Sequence, residues 1–200
     1  MANQVIDNFK TKIGVPAQEE TTEIRFEKSM QQAIWERIID EIGCGLFQNG
    51  FFYFFGKELN KFESILKYWS FLLEEKINYS IIGFNKMGFI ILAENLENNG
   101  MASQITIIDP LNVRLYKNTQ IKLLNFIGRW LPDGLIPGLN NNRLYEAVIK
   151  EIDENLELEE IIAIKKPFSL GGELKAENFS IENINEYFKT TGKIYASYKK

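Results

Sequence analysis

The stretch GLFQNGFFYFF, Gly45 to Phe55, constrains the fold more than any other. Asn49-Gly50 stands between two apolar runs, and a type I′ hairpin turn needs the positive φ that these residues accept best. Five successive aromatics, Phe51 to Phe55, leave no polar side to present to water, so the segment reads as a strand covered on both faces. A base-stacking platform is the rival reading, but such platforms are ringed by basic side chains. This neighbourhood offers only Lys57, which makes the run core.

What covers that strand follows from periodicity. Met30, Ile34, Trp35, Ile38, Ile39 and Ile42 recur at helical spacing. This predicts an amphipathic helix over Ser29 to Ile42, with Ser29 as N-cap and Gly43 and Gly45 stopping it. Leu59, Phe62, Ile65, Leu66 and Trp69 form a second helical stripe. Three or four strands are then expected: Tyr79–Phe84, Gly88–Ala93, Gln104–Ile108 and Val113–Tyr116. NKMG turns the first pair and DPLN the second, with Asp109 and Pro110 placed for a type I turn.

Helical spacing returns from Thr119 through Ile121, Leu124, Ile127 and Leu131. Two further helices are predicted, over Arg143–Ile152 (Leu144, Ala147, Val148 and Ile152 inward) and over Glu157–Ala163. The expected class is α+β, a mainly antiparallel sheet flanked by helices and followed by a helical C-terminal half. Residues 1–28, polar and interrupted by Pro16, read as a loosely held arm with at most one short helical turn. The break LPDGLIPGLNNN separates a 29–130 region from a 131–200 region, the two packing as one unit.

The chemistry is bounded by what the 200 residues lack. With no histidine, Ser-His-Asp and Cys-His pairs are excluded. A single cysteine, Cys44, rules out a tetrahedral zinc site and an intrachain disulfide, and fits a reducing compartment. No metal or cofactor and no catalytic residue is therefore expected. The start, MANQVIDNFKTKIG, has no apolar core and does not read as a signal peptide. No apolar run reaches the roughly 18 residues of a membrane span. The expected location is the cytoplasm, away from membranes. A net charge of −4 argues against direct nucleic-acid binding.

Two features remain. Gly171-Gly172, in KKPFSLGGELKAENF, has the look of a phosphate cradle, but Glu173 and Glu177 beside it would repel an anion. It reads instead as a bend that uses positive φ. The run EIDENLELEE carries Glu151, Asp153, Glu154, Glu157, Glu159 and Glu160. It is either a solvated helix face or a patch that docks a basic partner.

The segment IGCGLFQNGFFYFFGKELNKFESILKYW resembles the start of the GAD-like domain. EIIAIKKPFSLGGELKAENFSIENI resembles the C-terminal signature of type VI secretion immunity proteins that share this domain, through Pro167, Leu170, Gly171, Gly172, Glu177 and Asn178. The resemblance covers roughly residues 30–195. The closing NINEYFKTTGK departs from the histidine often found there. The resemblance implies a GAD-like 29–130 region, an immunity-type 131–200 region, and a protein that binds a secreted toxin, often a nuclease, and blocks it without chemistry of its own. A non-catalytic scaffold of the broader immunity and cell-wall-signalling fold and a small carboxylate-based enzyme are the other classes the sequence leaves open.

Overall fold

The computed structural model describes residues 2–17, 20–140, 142–152 and 156–198. Its centre is a six-stranded antiparallel meander. The strands are β1 Gly45–Phe47, β2 Phe52–Phe54, β3 Tyr79–Asn85, β4 Ile90–Glu94, β5 Gln104–Asp109 and β6 Arg114–Lys122. Alternation along β2 divides its rings between the two faces. Phe54 meets Phe9, Phe47 and Phe126 on one face, while Tyr53 packs on Phe84, which in turn meets Phe62. All five aromatics from Phe51 to Phe55 are buried. Gly83 of β3 makes room for this layer, since a Cβ there would lie 2.4 Å from the Phe54 ring.

The β1–β2 connection is longer than a two-residue turn. Phe47 pairs with Phe52, so Gln48 to Phe51 form the loop, with positive φ at Gln48, Asn49 and Gly50. Phe51 leaves the ladder because its ring is needed elsewhere, packed 5.0 Å from Tyr145.

The first helix corrects the expectation of a loose arm. Ala2–Lys12 is helical (α1), and Ile6, Phe9 and Ile13 are buried. Three apolar residues at i, i+3 and i+7 suffice for one narrow inward stripe. Polar contacts add to it, with the Asn8 side chain donating to the Gly128 carbonyl at 2.8 Å.

Helix α2 spans Ser29–Ile42 as expected, with Lys28 rather than Ser29 in the cap position. Trp35, Ile38 and Ile42 are buried, whereas Met30 and Ile34 face solvent. The second stripe folds as a 3-10 turn over Lys57–Phe62 followed by α3, Ser64–Tyr68. A short α4, Leu96–Asn99, bridges β4 and β5.

The helix expected from Thr119 does not begin there. β6 continues to Lys122, and the chain then forms α5, Leu123–Asn125, and a π-helical turn over Phe126–Trp130. Ladder bonds to β5 override the helical spacing, at the cost of a wide bulge: Gln104 faces Lys122 while Thr106 faces Lys117.

In the C-terminal region α6 spans Asn142–Ile152, with Val148 buried, Leu144 packed on the core and Ala147 exposed. Glu160–Ile164 is a strand (β7), not the predicted helix, paired antiparallel with β8, Phe179–Asn183. Its β-branched run IIAI is buried on both faces, which favours extended pairing. The last helix, α7, covers Ile184–Tyr198 and docks on α3, where the Trp69 indole donates to the Phe188 carbonyl at 3.1 Å. The class is α+β, as the sequence predicts.

Because Phe9 is fully buried between Phe47 and Phe54, Phe9→Ala should destabilise the whole protein by about 3–5 kcal/mol in urea unfolding. A loosely held arm would lose almost nothing.

Candidate functional site

The two features singled out in the sequence lie at opposite ends of β7. At its start, residues 157–160 form a tight turn. The Glu160 amide donates to the Glu157 carbonyl at 3.1 Å, and the Glu157 amide donates back to the Glu160 carboxylate at 2.9 Å. Glu159 meets the Lys61 ammonium at 3.3 Å, while Glu157 is exposed. Three of the six acidic residues thus share one turn, not a helix face. Glu151 closes α6, and Asp153 and Glu154 lie outside the described residues.

Underneath the turn sits a side chain that sequence reasoning passed over. Lys86, in the β3–β4 turn, is 2% exposed. Its ammonium donates to the carbonyls of Glu157, Leu158 and Glu160 at 2.5, 3.0 and 2.9 Å. Its own carbonyl accepts from the Ile162 amide at 2.7 Å. The main sheet therefore grips the β7 segment through both the side chain and the backbone of one residue. Burial pushes the Lys86 ammonium down to about 8, against the pull of the Glu160 and Glu157 charges. The only hint in the sequence is a lysine between an asparagine and a methionine in a predicted turn.

At the far end of β7, the loop 165–178 is closed by its own backbone and by Asn178. The Gly171 and Gly172 amides donate to Phe168 and Pro167 carbonyls at 3.0 and 2.9 Å. The Asn178 amide group donates to the Lys166 and Glu173 carbonyls, both at 2.9 Å, and its oxygen accepts from the Lys166 amide at 2.9 Å. Gly171 has φ of 83°, the bend the sequence implies. Gly172 answers a different demand: a Cβ there would sit 1.8 Å from the Lys166 carbonyl oxygen. Pro167 is buried and Leu170 is exposed, as is Leu174. The Phe168 amide ties the loop to the Leu111 carbonyl at 2.8 Å.

Two further residues have structural roles. Asp109 is buried, accepting from Asn112 and from Arg114 at 2.9 Å, as its turn position predicts. Burial, reinforced by the Glu20 charge, pushes the Cys44 thiol up to about 12, far from a reactive thiolate. Among the described residues no three His, Cys, Asp or Glu side chains cluster to hold a metal ion. Among them, too, no helix is long and apolar enough to cross a membrane.

The chain is similar in structure to Atu4351 from Agrobacterium tumefaciens, with a TM-score of 0.61 over 93% of this chain and 87% of that one. The two are 18% identical, and the likeness is one of fold. No family model matches the sequence, and no curated protein matches it.

Two outcomes are expected here. Lys86→Met strands three carbonyls and should cost about 3 kcal/mol. Between about 8 and 10.5 the unfolded state holds a lysine proton that the folded state has released, so stability gains with pH across that window. The advantage of the natural protein over Lys86→Met in urea unfolding should therefore be larger at pH 9.5 than at pH 7.5. In the loop, Gly171→Ala should cost about 1 kcal/mol from φ strain. Gly172→Ala, which meets backbone, should cost more, about 1–3 kcal/mol with displacement of the Asn178 amide resonances.

Proposed function

We propose that this protein is a cytoplasmic immunity protein, related to the GAD-like immunity proteins of type VI secretion. It binds a cognate toxin domain and covers the toxin's active site or substrate path. It contributes binding and no catalysis. The partner is a basic protein domain, and a nuclease suits that description because enzymes of nucleic acids carry cationic surfaces.

The observation that carries the reading is the motif loop. Pro167, Gly171, Gly172 and Asn178, residues on which the resemblance rests, are joined by backbone and Asn178 bonds, and the Glu177 carbonyl accepts from the Lys165 ammonium, in one unit that displays Leu170 to solvent. A rigid loop with a presented apolar side chain suits recognition, since its ordering costs little on binding. The acidic turn at the other end of β7, with Glu157 exposed, adds charge that steers a basic partner; Glu151, Asp153 and Glu154 precede it in the chain.

Co-expression with the toxin encoded beside it tests the proposal. Cells should survive with this protein and die without it, and survival independent of it removes the immunity reading. In stopped-flow mixing, association should slow as salt rises. Glu157→Gln combined with Glu159→Gln should lower the on-rate about two- to fivefold and leave the off-rate and the folding stability nearly unchanged.

A further inference from the structure

Helix α2 carries more apolar surface than its core contacts use. Trp35, Ile38 and Ile42 point inward, but Met30 is 70% exposed and Ile34 37% exposed, one turn apart on a second stripe. Ile34 opens onto a groove of about 1110 Å³ between α1, α2 and the 122–133 segment. Val5, Met101 and Leu124 complete its apolar floor. That volume stands at the upper end of the roughly 300–1,000 Å³ of small-molecule sites, and the lining, not the size, distinguishes the occupant.

The walls are fixed in place. α1 is pinned across the groove's end by the Asn8–Gly128 bond at 2.8 Å and the Lys12–Asp133 ion pair at 2.5 Å. On the α2 side, Gln31 accepts from the Met101 amide at 3.0 Å. Gly128 lets α1 approach, because a Cβ there would be 2.7 Å from Val5.

Charge then distinguishes the occupant. Lys12 and Asn8 already satisfy Asp133. Lys122 and Arg129, on the bank opposite α1, form no ion pair among the described residues. Arg129 lies within electrostatic reach of Asp133, and Asp7 also lines the groove, so Lys12, Lys122 and Arg129 face two carboxylates and the lining keeps a net positive charge in an otherwise acidic protein.

We propose that the groove docks an amphipathic helix of a partner protein. The helix lays its i, i+3, i+4 and i+7 apolar residues on Val5, Ile34, Met101 and Leu124 and turns carboxylates toward Lys122 and Arg129. The surface shares no residue with the 157–160 turn or the 165–178 loop, and the inference stands whether or not the partner is a toxin.

The probe is a synthetic helical peptide of about 18 residues, five turns, with leucines at that spacing and glutamates along one flank. A control peptide carries lysines in place of the glutamates. Binding is followed by calorimetry and by methyl NMR of the full chain. The expected result is saturable binding of the glutamate peptide, with shifts concentrated at Val5, Ile34, Met101 and Leu124. The lysine peptide should bind at least about tenfold more weakly, as should the glutamate peptide to Ile34→Glu and to Arg129→Glu. Both substitutions are at exposed positions, and an unchanged thermal midpoint keeps the comparison clean. Met30→Glu, further out on the stripe, supplies a second variant. No binding, equal binding of both peptides, or shifts elsewhere overturns the proposal. So does a self-associated protein that Ile34→Glu converts to monomer, which would make the occupant a second copy, and so does retention on neutral lipid vesicles in preference to the peptide.

Discussion

Five aromatic side chains in a row set the terms of this fold. Burying each is worth about 1.5–3 kcal/mol, so Phe51 to Phe55 cannot be satisfied by a sheet with one wet face. Phe54 needs Phe9 and Phe126 above it, and Tyr53 needs Phe84 below. That demand recruits α1 from one end of the described chain and the π-helical turn from its middle. The same demand explains Gly83, a β3 position where a Cβ would collide with the Phe54 ring.

Lys86 plays the corresponding part for the C-terminal region. A dehydrated ammonium survives only where its three protons find acceptors, and the turn before β7 supplies three carbonyls. The arrangement joins the two-stranded sheet to the main sheet at a point where apolar packing alone would leave the register free. It also spends part of the acidic run on internal structure. Glu160 closes its own turn and Glu159 meets Lys61, leaving Glu157 as the residue of that turn most open to a partner.

Where the sequence pattern was dense, it could be read. The Ser29–Ile42 helix and the starts of most strands were legible, and Trp35, Phe52, Phe54, Phe62, Trp69, Ile90 and Ile107, picked out by their spacing, are all at most 1% exposed. Sparse or conflicting patterns misled. α1 carries buried Ile6 and Phe9, with Ile13 just after it, among polar residues, and β6 reads RLYKNTQIK, polar because much of it is exposed at the edge of the sheet. The spacing of Ile121, Leu124 and Ile127 places the helix start too early: pairing with β5 keeps Ile121 in β6, while Leu124 and Ile127 lie in the helical turns that follow. Of the site, the glycine bend was legible, since Gly171 needs positive φ. The clasp of Asn178 on Lys166 was not, because it joins residues 12 apart through a loop that only the fold closes.

The order of the main sheet bears on how the chain reaches this state. Every ladder in the meander joins neighbours in sequence, so the sheet assembles from local pairings, the longest closure being the 24 residues between β2 and β3. α1 is different. Its Asn8 and Lys12 meet Gly128 and Asp133, residues 120 and 121 positions away. The segment after it also closes the open edge of β1, through Ala17 to Leu46 at 3.0 Å and Glu20 to Cys44 at 3.3 Å. During synthesis α1 therefore waits for most of the chain to emerge, and until it docks, β1 and the aromatic layer beneath it stay uncovered. The nascent protein passes through a stage with an unprotected strand edge, when self-association competes with completion of the fold.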